Sequence, residues 1–203
     1  MAGIYIHIPF CKTRCAYCDF YSTTHEEWKQ QYVDAVCKEL VQRKDYLKGE
    51  TVRTIYIGGG TPSQLDAAQI GRLLQTIHSL FPIDGHPEIT LEANPDDLTD
   101  EYIEQLKSTP VNRISMGIQT FNDATLRILN RRHTAQEACQ AVNRLRKKGF
   151  GNISIDLIYG LPGEDLKQWE ANLQQAIALN VEHISAYHLT YEEGTPLYRM
   201  LQK

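Results

Sequence analysis

Cys11-Lys12-Thr13-Arg14-Cys15-Ala16-Tyr17-Cys18 stands directly after the short apolar run Gly3 to Pro9. Its three thiols, spaced by three and then two residues, can converge on one centre only if the backbone curls around it. The stretch therefore reads as a ligand loop. Disulfides would leave one thiol over. Structural zinc wants four ligands, usually as two separated pairs, and no second Cys or Cys/His pair at such spacing follows. A three-thiolate site keeps an open position, which an iron–sulfur centre needs if one of its irons is to bind a small molecule; ferredoxin-type clusters usually have every iron capped by cysteine. An opportunistic zinc site and a loop with incidental cysteines remain the alternatives at this point.

The chain has 203 residues, 42% hydrophobic and 23% charged, the composition of a globular domain with a sizeable core. That length fits one domain of the larger α/β kind over 1–203, with little left for a second. A formal net charge of −4 argues against a non-specific nucleic-acid binder. The short basic clusters Arg131-Arg132-His133 and Arg144 to Lys148 suit helix ends or solvated faces. No apolar run approaches a membrane span, and the N-terminus lacks the basic start and apolar core of a secretory signal. The expected location is cytoplasmic, a reducing compartment where thiolates can hold metal. Cys37 and Cys139 fall in helix-like stretches without metal-spaced neighbours, so they are expected to be buried small hydrophobes.

Taken in order, Gly3 to Ile8 is a β-branched strand stopped by Pro9. Thr23 and Glu26 match a capping box, and Trp28, Tyr32, Val36, Leu40 and Leu47 continue at helical spacing. Val52 to Ile57 is a second strand, ended by Gly58-Gly59-Gly60-Thr61-Pro62, with a helix marked by Ile70, Leu73, Leu74 and Ile77. Glu88 to Leu91 ends at Glu92-Ala93-Asn94-Pro95 and precedes a helix from about Thr99 to Leu106. Arg113 to Ile118 runs into Gln119-Thr120-Phe121; its helix is split, a short one over 122–129 and a second, capped by Thr134 and Glu137, ending near Gly149. Ile153 to Ile158 exits through Gly160-Leu161-Pro162-Gly163, a helix spans about Leu166 to Leu179, and His183 to Tyr187 is the sixth strand.

Six strand–helix alternations with no hairpin signal imply a parallel sheet wound by helices. The unusual residues all follow strands, and a barrel gathers every strand's C-terminal end on one face, where chemistry sits. The expected fold is α/β, a partial (β/α)6 TIM-like barrel with outer helices. Gly58 to Thr61 is a poor dinucleotide fingerprint, since Ser63 and Pro62 break the pattern and no Walker lysine follows; beside the cysteine loop, glycines let backbone approach a ligand closely. Glu92 and Asp156 place carboxylates among apolar neighbours, where each needs a partner. That partner is either a ligand's hydroxyl or amino group, or an arginine such as Arg113 or Arg131. His7 and Gln119 read as satisfied interior polar groups. Tyr17, between two ligand cysteines, is placed to shield a cluster and pack against a purine.

The C-x-x-x-C-x-x-C spacing resembles the signature of radical S-adenosylmethionine proteins. Tyr5-Ile6-His7-Ile8-Pro9-Phe10-Cys11, Gly58-Gly59-Gly60-Thr61-Pro62, Leu91-Glu92-Ala93-Asn94-Pro95, Gly117-Ile118-Gln119-Thr120-Phe121, Asp156 to Pro162 and Glu193-Gly194-Thr195-Pro196-Leu197 are similar to the oxygen-independent coproporphyrinogen III oxidase family within it, and more so to its haem chaperone branch. The resemblance implies that Cys11, Cys15 and Cys18 hold a [4Fe–4S] cluster, and that Tyr5, Gly59 and Glu92 contact a cluster-bound S-adenosyl-L-methionine. Gly60, Thr61, Gln119, Arg131 and Asp156 match positions that surround a second adenosylmethionine in the oxidase. An electron donor would feed the cluster, and cleavage of the sulfonium would yield a deoxyadenosyl radical. Two departures turn the expectation from porphyrinogen decarboxylation towards haem carriage. Phe20 replaces a further cysteine of the oxidase, and only four residues precede Tyr5 where the oxidase has a long extension. The resemblance further implies that haem or another tetrapyrrole is cargo of the full-length protein, passed to a haem-acceptor protein, and that a smaller C-terminal domain of the family is absent from this chain.

Overall fold

The computed structural model describes residues 2–202. Six strands, β1 (Ala2–Ile8), β2 (Val52–Gly59), β3 (Ile83–Ala93), β4 (Arg113–Gln119), β5 (Ile153–Tyr159) and β6 (His183–His188), pair in parallel in sequence order. Between and after them lie α1 (Lys29–Gln42), α2 (Ala67–Leu80), α3 (Asp100–Leu106), α4 (Asp123–Ile128), α5 (Ala135–Lys147), α6 (Leu166–Ala178) and α7 (Pro196–Leu201). A doubly wound sheet reverses its strand order at a switch point. This one does not. Right-handed crossovers between successive neighbours put the helices on one side, so the sheet curls into the expected partial barrel with β1 and β6 as its edges.

Strand alternation separates two environments. Ile6, Ile8, Ile55, Ile57, Ile89, Leu91, Ile114, Met116, Ile153, Ile155 and Leu157 are buried, and form one core with Ile70, Leu73, Leu74, Ile77, Ala141, Val142 and Leu145 of the helices. Truncating one of these isoleucines or leucines to Ala costs about 2–5 kcal/mol. The alternate residues are polar or small, and their register aligns Tyr5 with Tyr56, Glu92 with Ser115, Gly117 with Asp156, and Asp156 with Ser185. The concave side is thus a polar hollow.

The local signals mostly hold. The box of Thr134 with Glu137 forms at the start of α5, and Asp66 with Gln69 and Asp165 with Gln168 cap α2 and α6 in the same way. The box expected at Thr23 does not form. Thr23 instead pairs backbone to backbone with Pro9 and Cys11 (2.7 and 2.9 Å), clamping the base of the cysteine loop, and α1 begins only at Lys29 after a 3-10 turn over Glu26–Trp28. Helix α1 stops at Gln42, so Leu47 packs on the core from a turn. Strand β3 starts earlier than expected, because a register shift carries it past Gly85 and Pro87 to pair Ile83 with Val52. Helix α7, capped by Thr195, went unforeseen. Cys37 and Cys139 are half-buried and packed against the core rather than within it.

Candidate cofactor site

At the C-terminal ends of the strands a cavity of about 860 Å³ opens, and every residue expected at a site lines it: Cys11, Cys15, Cys18, Tyr5, Tyr17, Gly59, Gly60, Thr61, Glu92, Gln119, Arg131 and Asp156. A smaller hollow of about 350 Å³, lined by His78, Asp84 and His86 among others, lies at the opposite end of β3 and away from all of these.

The cysteine loop is held from outside. Ala16 is buried in a second apolar cluster with Leu129, Ile158, Leu161, Leu189 and Leu197, and Tyr17 packs against it. The Ala16 N–H donates to Leu129 O (2.9 Å), its carbonyl accepts from Leu197 N–H (2.9 Å), and Asn130 Nδ2 donates to Arg14 O (2.8 Å). All three thiols are free and half-buried. Burial pushes Cys11 and Cys18 above the usual thiol range, and it pushes the Tyr17 phenol up as well. Two donors face the sulfurs: Thr61 Oγ1 lies 3.4 Å from Cys11 Sγ, and an Arg131 guanidinium nitrogen lies 3.4 Å from Cys15 Sγ.

Glycines let the turn after β2 approach. Gly59 has φ +116°, and a Cβ there would meet the His7 ring at 2.7 Å; at Gly60 it would meet Cys11 Sγ at 2.9 Å. The Gly59 N–H donates to Glu92 Oε2 (3.1 Å) while the Tyr56 hydroxyl donates to Oε1 (2.7 Å). Burial raises the Glu92 pKa above its ordinary value against the opposing pull of these two donors, and Asp156 nearby adds to the rise. Burial raises Asp156 likewise. Among the described residues neither carboxylate forms an ion pair with an arginine. Arg131 instead donates to Asn94 Oδ1 (2.7 Å) and Gly117 O (2.6 Å), and its buried Nε has no partner among the described residues. Both carboxylates keep lone pairs for a guest in the hollow.

His7 Nε2 faces the Tyr21 carbonyl (3.3 Å), which can only accept, so Nε2 carries the proton and Nδ1 accepts from the Tyr5 hydroxyl (3.2 Å). This His is satisfied, as expected. Gln119 is not an ordinary interior group: it has φ +72° where β4 bulges against β5, a strained conformation that turns its side chain into the hollow. Asn94, Asp96 and Arg132 also line the cavity and were missed. The sequence placed Arg132 in a basic cluster read as a helix end or solvated face, and Asn94 in a motif with no site role of its own, while their roles depend on neighbours far away in the chain.

Comparison with known proteins shows the family and the fold. A protein of Lactococcus lactis named Heme chaperone HemW is 44% identical over 191 residues, covering 94% of this chain and 50% of that protein. Its namesake from Bacillus subtilis is 39% identical over 205 residues, covering 100% and 54%. The chain spans about half the length of these curated relatives. The structure of coproporphyrinogen III oxidase (HemN) from Escherichia coli superposes with a TM-score of 0.85 at 32% identity, over 94% of this chain and 44% of that one. The radical SAM family model matches residues 5–176, and the chain belongs to that superfamily.

Proposed function

We propose that this chain is the cofactor-binding core of a haem chaperone-like protein, in which Cys11, Cys15 and Cys18 hold a [4Fe–4S] cluster and the hollow takes S-adenosyl-L-methionine. The observation that carries this reading is the convergence of the three thiols, the Gly59-Gly60 turn and the Glu92 carboxylate on one cavity. The donor set fits the group. Free thiols, a glycine cradle against Cys11 Sγ, and an arginine N–H aimed at Cys15 Sγ suit an electron-rich sulfur centre. Among the described residues no three His, Cys, Asp or Glu side chains are gathered closely enough to hold a single metal ion. A cluster needs no such convergence, because each thiolate binds its own iron.

When bound, such a cluster supplies an electron and an open iron on which adenosylmethionine is anchored. The chain's own residues orient that guest. Gly59 and Gly60 admit it past the backbone, Glu92 and Asp156 accept hydrogen bonds from its hydroxyl or amino groups, and Tyr17 covers its aromatic end. Gln119, Arg131 and Thr61 line the remaining wall, where a second adenosylmethionine fits the reading by resemblance.

Haem carriage is supported by the names of the relatives and by Phe20, an aromatic residue 68% exposed at the cavity rim where the oxidase-like pattern has a further cysteine. Transfer to an acceptor protein, and an electron donor for the cluster, belong to the same reading. The second reading, oxidative decarboxylation of coproporphyrinogen III, is favoured by the close superposition on the Escherichia coli enzyme. An anaerobic assay with reductant and adenosylmethionine separates the two. We expect the full-length protein to bind haem and leave coproporphyrinogen III unconverted; steady turnover would overturn the chaperone reading.

A further inference from the structure

Lys12, between the first two cysteines, places its ammonium 3.2 Å from Oδ1 of Asp97, whose side chain is only 3% exposed. Asp97 Oδ2 accepts from Ser63 Oγ (2.8 Å) and Gln64 Nε2 (2.7 Å) in the turn after β2. Ser63 Oγ accepts in turn from the Asn94 N–H (3.2 Å). Asn94 Oδ1 accepts from Arg131 (2.7 Å), which also reaches Cys15 Sγ (3.4 Å). The contacts therefore leave the cysteine loop at Lys12 and return to it at Cys15, closing a ring through the turns after β2 and β3 and the link between α4 and α5. Arg132 adds a second cation to Asp97 Oδ1 (3.3 Å) and also pairs with Asp96 (2.8 Å).

Asp97 is the buried junction of this ring, and a buried carboxylate stripped of its counter-charges, or counter-charges stripped of it, are strongly disfavoured. We propose that Asp97 is a positioning residue that holds the loop 11–18 in its ligand-ready shape before any cofactor arrives. It acts through Lys12 on one flank and through Ser63, Asn94 and Arg131 on the other. Preorganisation of this kind belongs to the supporting shell of a site rather than to its ligands. The inference rests on the proposed function only for what the loop goes on to hold.

Hydrogen–deuterium exchange on the cofactor-free protein tests it, since the Cys11, Ala16 and Cys18 amides are all hydrogen-bonded in the held loop. In Asp97→Asn the exchange of segment 11–18 should rise on the order of tenfold or more, the loss of a charge-assisted contact, while α5 and β5 stay at wild-type rates. Lys12→Met, on a half-exposed side chain that cannot unfold the sheet, should raise the same segment by a smaller factor. Should Asp97→Asn loosen the whole sheet, Lys12→Met decides. No local rise in either variant overturns the proposal. A protein that shows the local rise yet takes up no iron leaves this inference standing and removes the cluster reading instead.

Discussion

At Glu92 a single carboxylate sits where burial works against its charge while the Tyr56 hydroxyl and the Gly59 N–H work for it. Burial wins, and the pKa lies above the ordinary 4.5. Affinity for adenosylmethionine should therefore begin to fall on acidification at a higher pH than an exposed glutamate would set. Glu92→Ala should weaken binding on the order of ten- to a hundredfold, the worth of a charge-assisted hydrogen bond of about 1.5–3 kcal/mol. The measurement is the perturbation of the reduced cluster's paramagnetic resonance spectrum by adenosylmethionine, and an unchanged titration in Glu92→Ala would make this residue structural. His133 shows the opposite sign. It is 3% exposed, its Nε2 faces Ile118 O (3.2 Å), and burial together with Arg131 lowers its pKa to about 4. A histidine depressed in the folded state leaves the unfolded chain binding more protons between pH about 4 and about 6.5. Its contribution is full above the upper limit and is lost as pH falls through the window, by up to about 3 kcal/mol. Urea denaturation across that window should show the decline, and His133→Gln should flatten it.

The cysteine loop is the element whose shape the sequence told least about, although its chemistry was the plainest thing in it. Thiol spacing is a local fact, so the cysteines could be read directly. The clamp at Thr23, the hold of Leu129 and Leu197 on Ala16, and the ring through Asp97 are contacts between residues far apart in the chain, and no periodicity announces them. Strand order was legible for the opposite reason. β-branched or apolar runs mark the strands and amphipathic spacing marks the longer helices between them, so these local signals together state one global pattern. The capping boxes show both sides: at Thr134 the local signal prevailed, whereas at Thr23 tertiary pairing took the residue for the loop. Thr134→Ala should cost about 1 kcal/mol in stability, measurable as a lower urea midpoint with unchanged slope. For the loop itself, replacing Cys11, Cys15 or Cys18 with Ala should abolish iron and sulfide uptake on anaerobic reconstitution, whereas Cys37→Ala and Cys139→Ala should leave it intact. A zinc-loaded, spectroscopically silent wild-type protein would sink the cluster assignment.

At the scale of the molecule, the two edges of the sheet are unequal. Strand β1 has Ile6 and Ile8 buried, and Tyr32 of α1 donates to its His7 carbonyl (2.6 Å), while β6 has no buried residue and leaves Tyr187 57% exposed. Helix α6, which leads into β6, leaves Leu166 and Ile177 86% and 68% exposed. An edge strand with no buried residue is one that further protein can cover. The curated relatives are about twice as long as this chain, and from the family resemblance we propose that a smaller domain covers the open flank of the barrel. If that domain supplies the haem contacts, the 203-residue chain should keep the cluster site and bind haem weakly or not at all, while a version of the relatives' full length binds it stoichiometrically. Every residue proposed to hold the cluster and its guest lies between β1 and β5, so the proposed site draws no ligand from that flank. Haem titration of both lengths, followed by absorbance under anaerobic conditions, decides the point. Tight stoichiometric binding by the short chain would move the haem site into the hollow itself, beside the three cysteines.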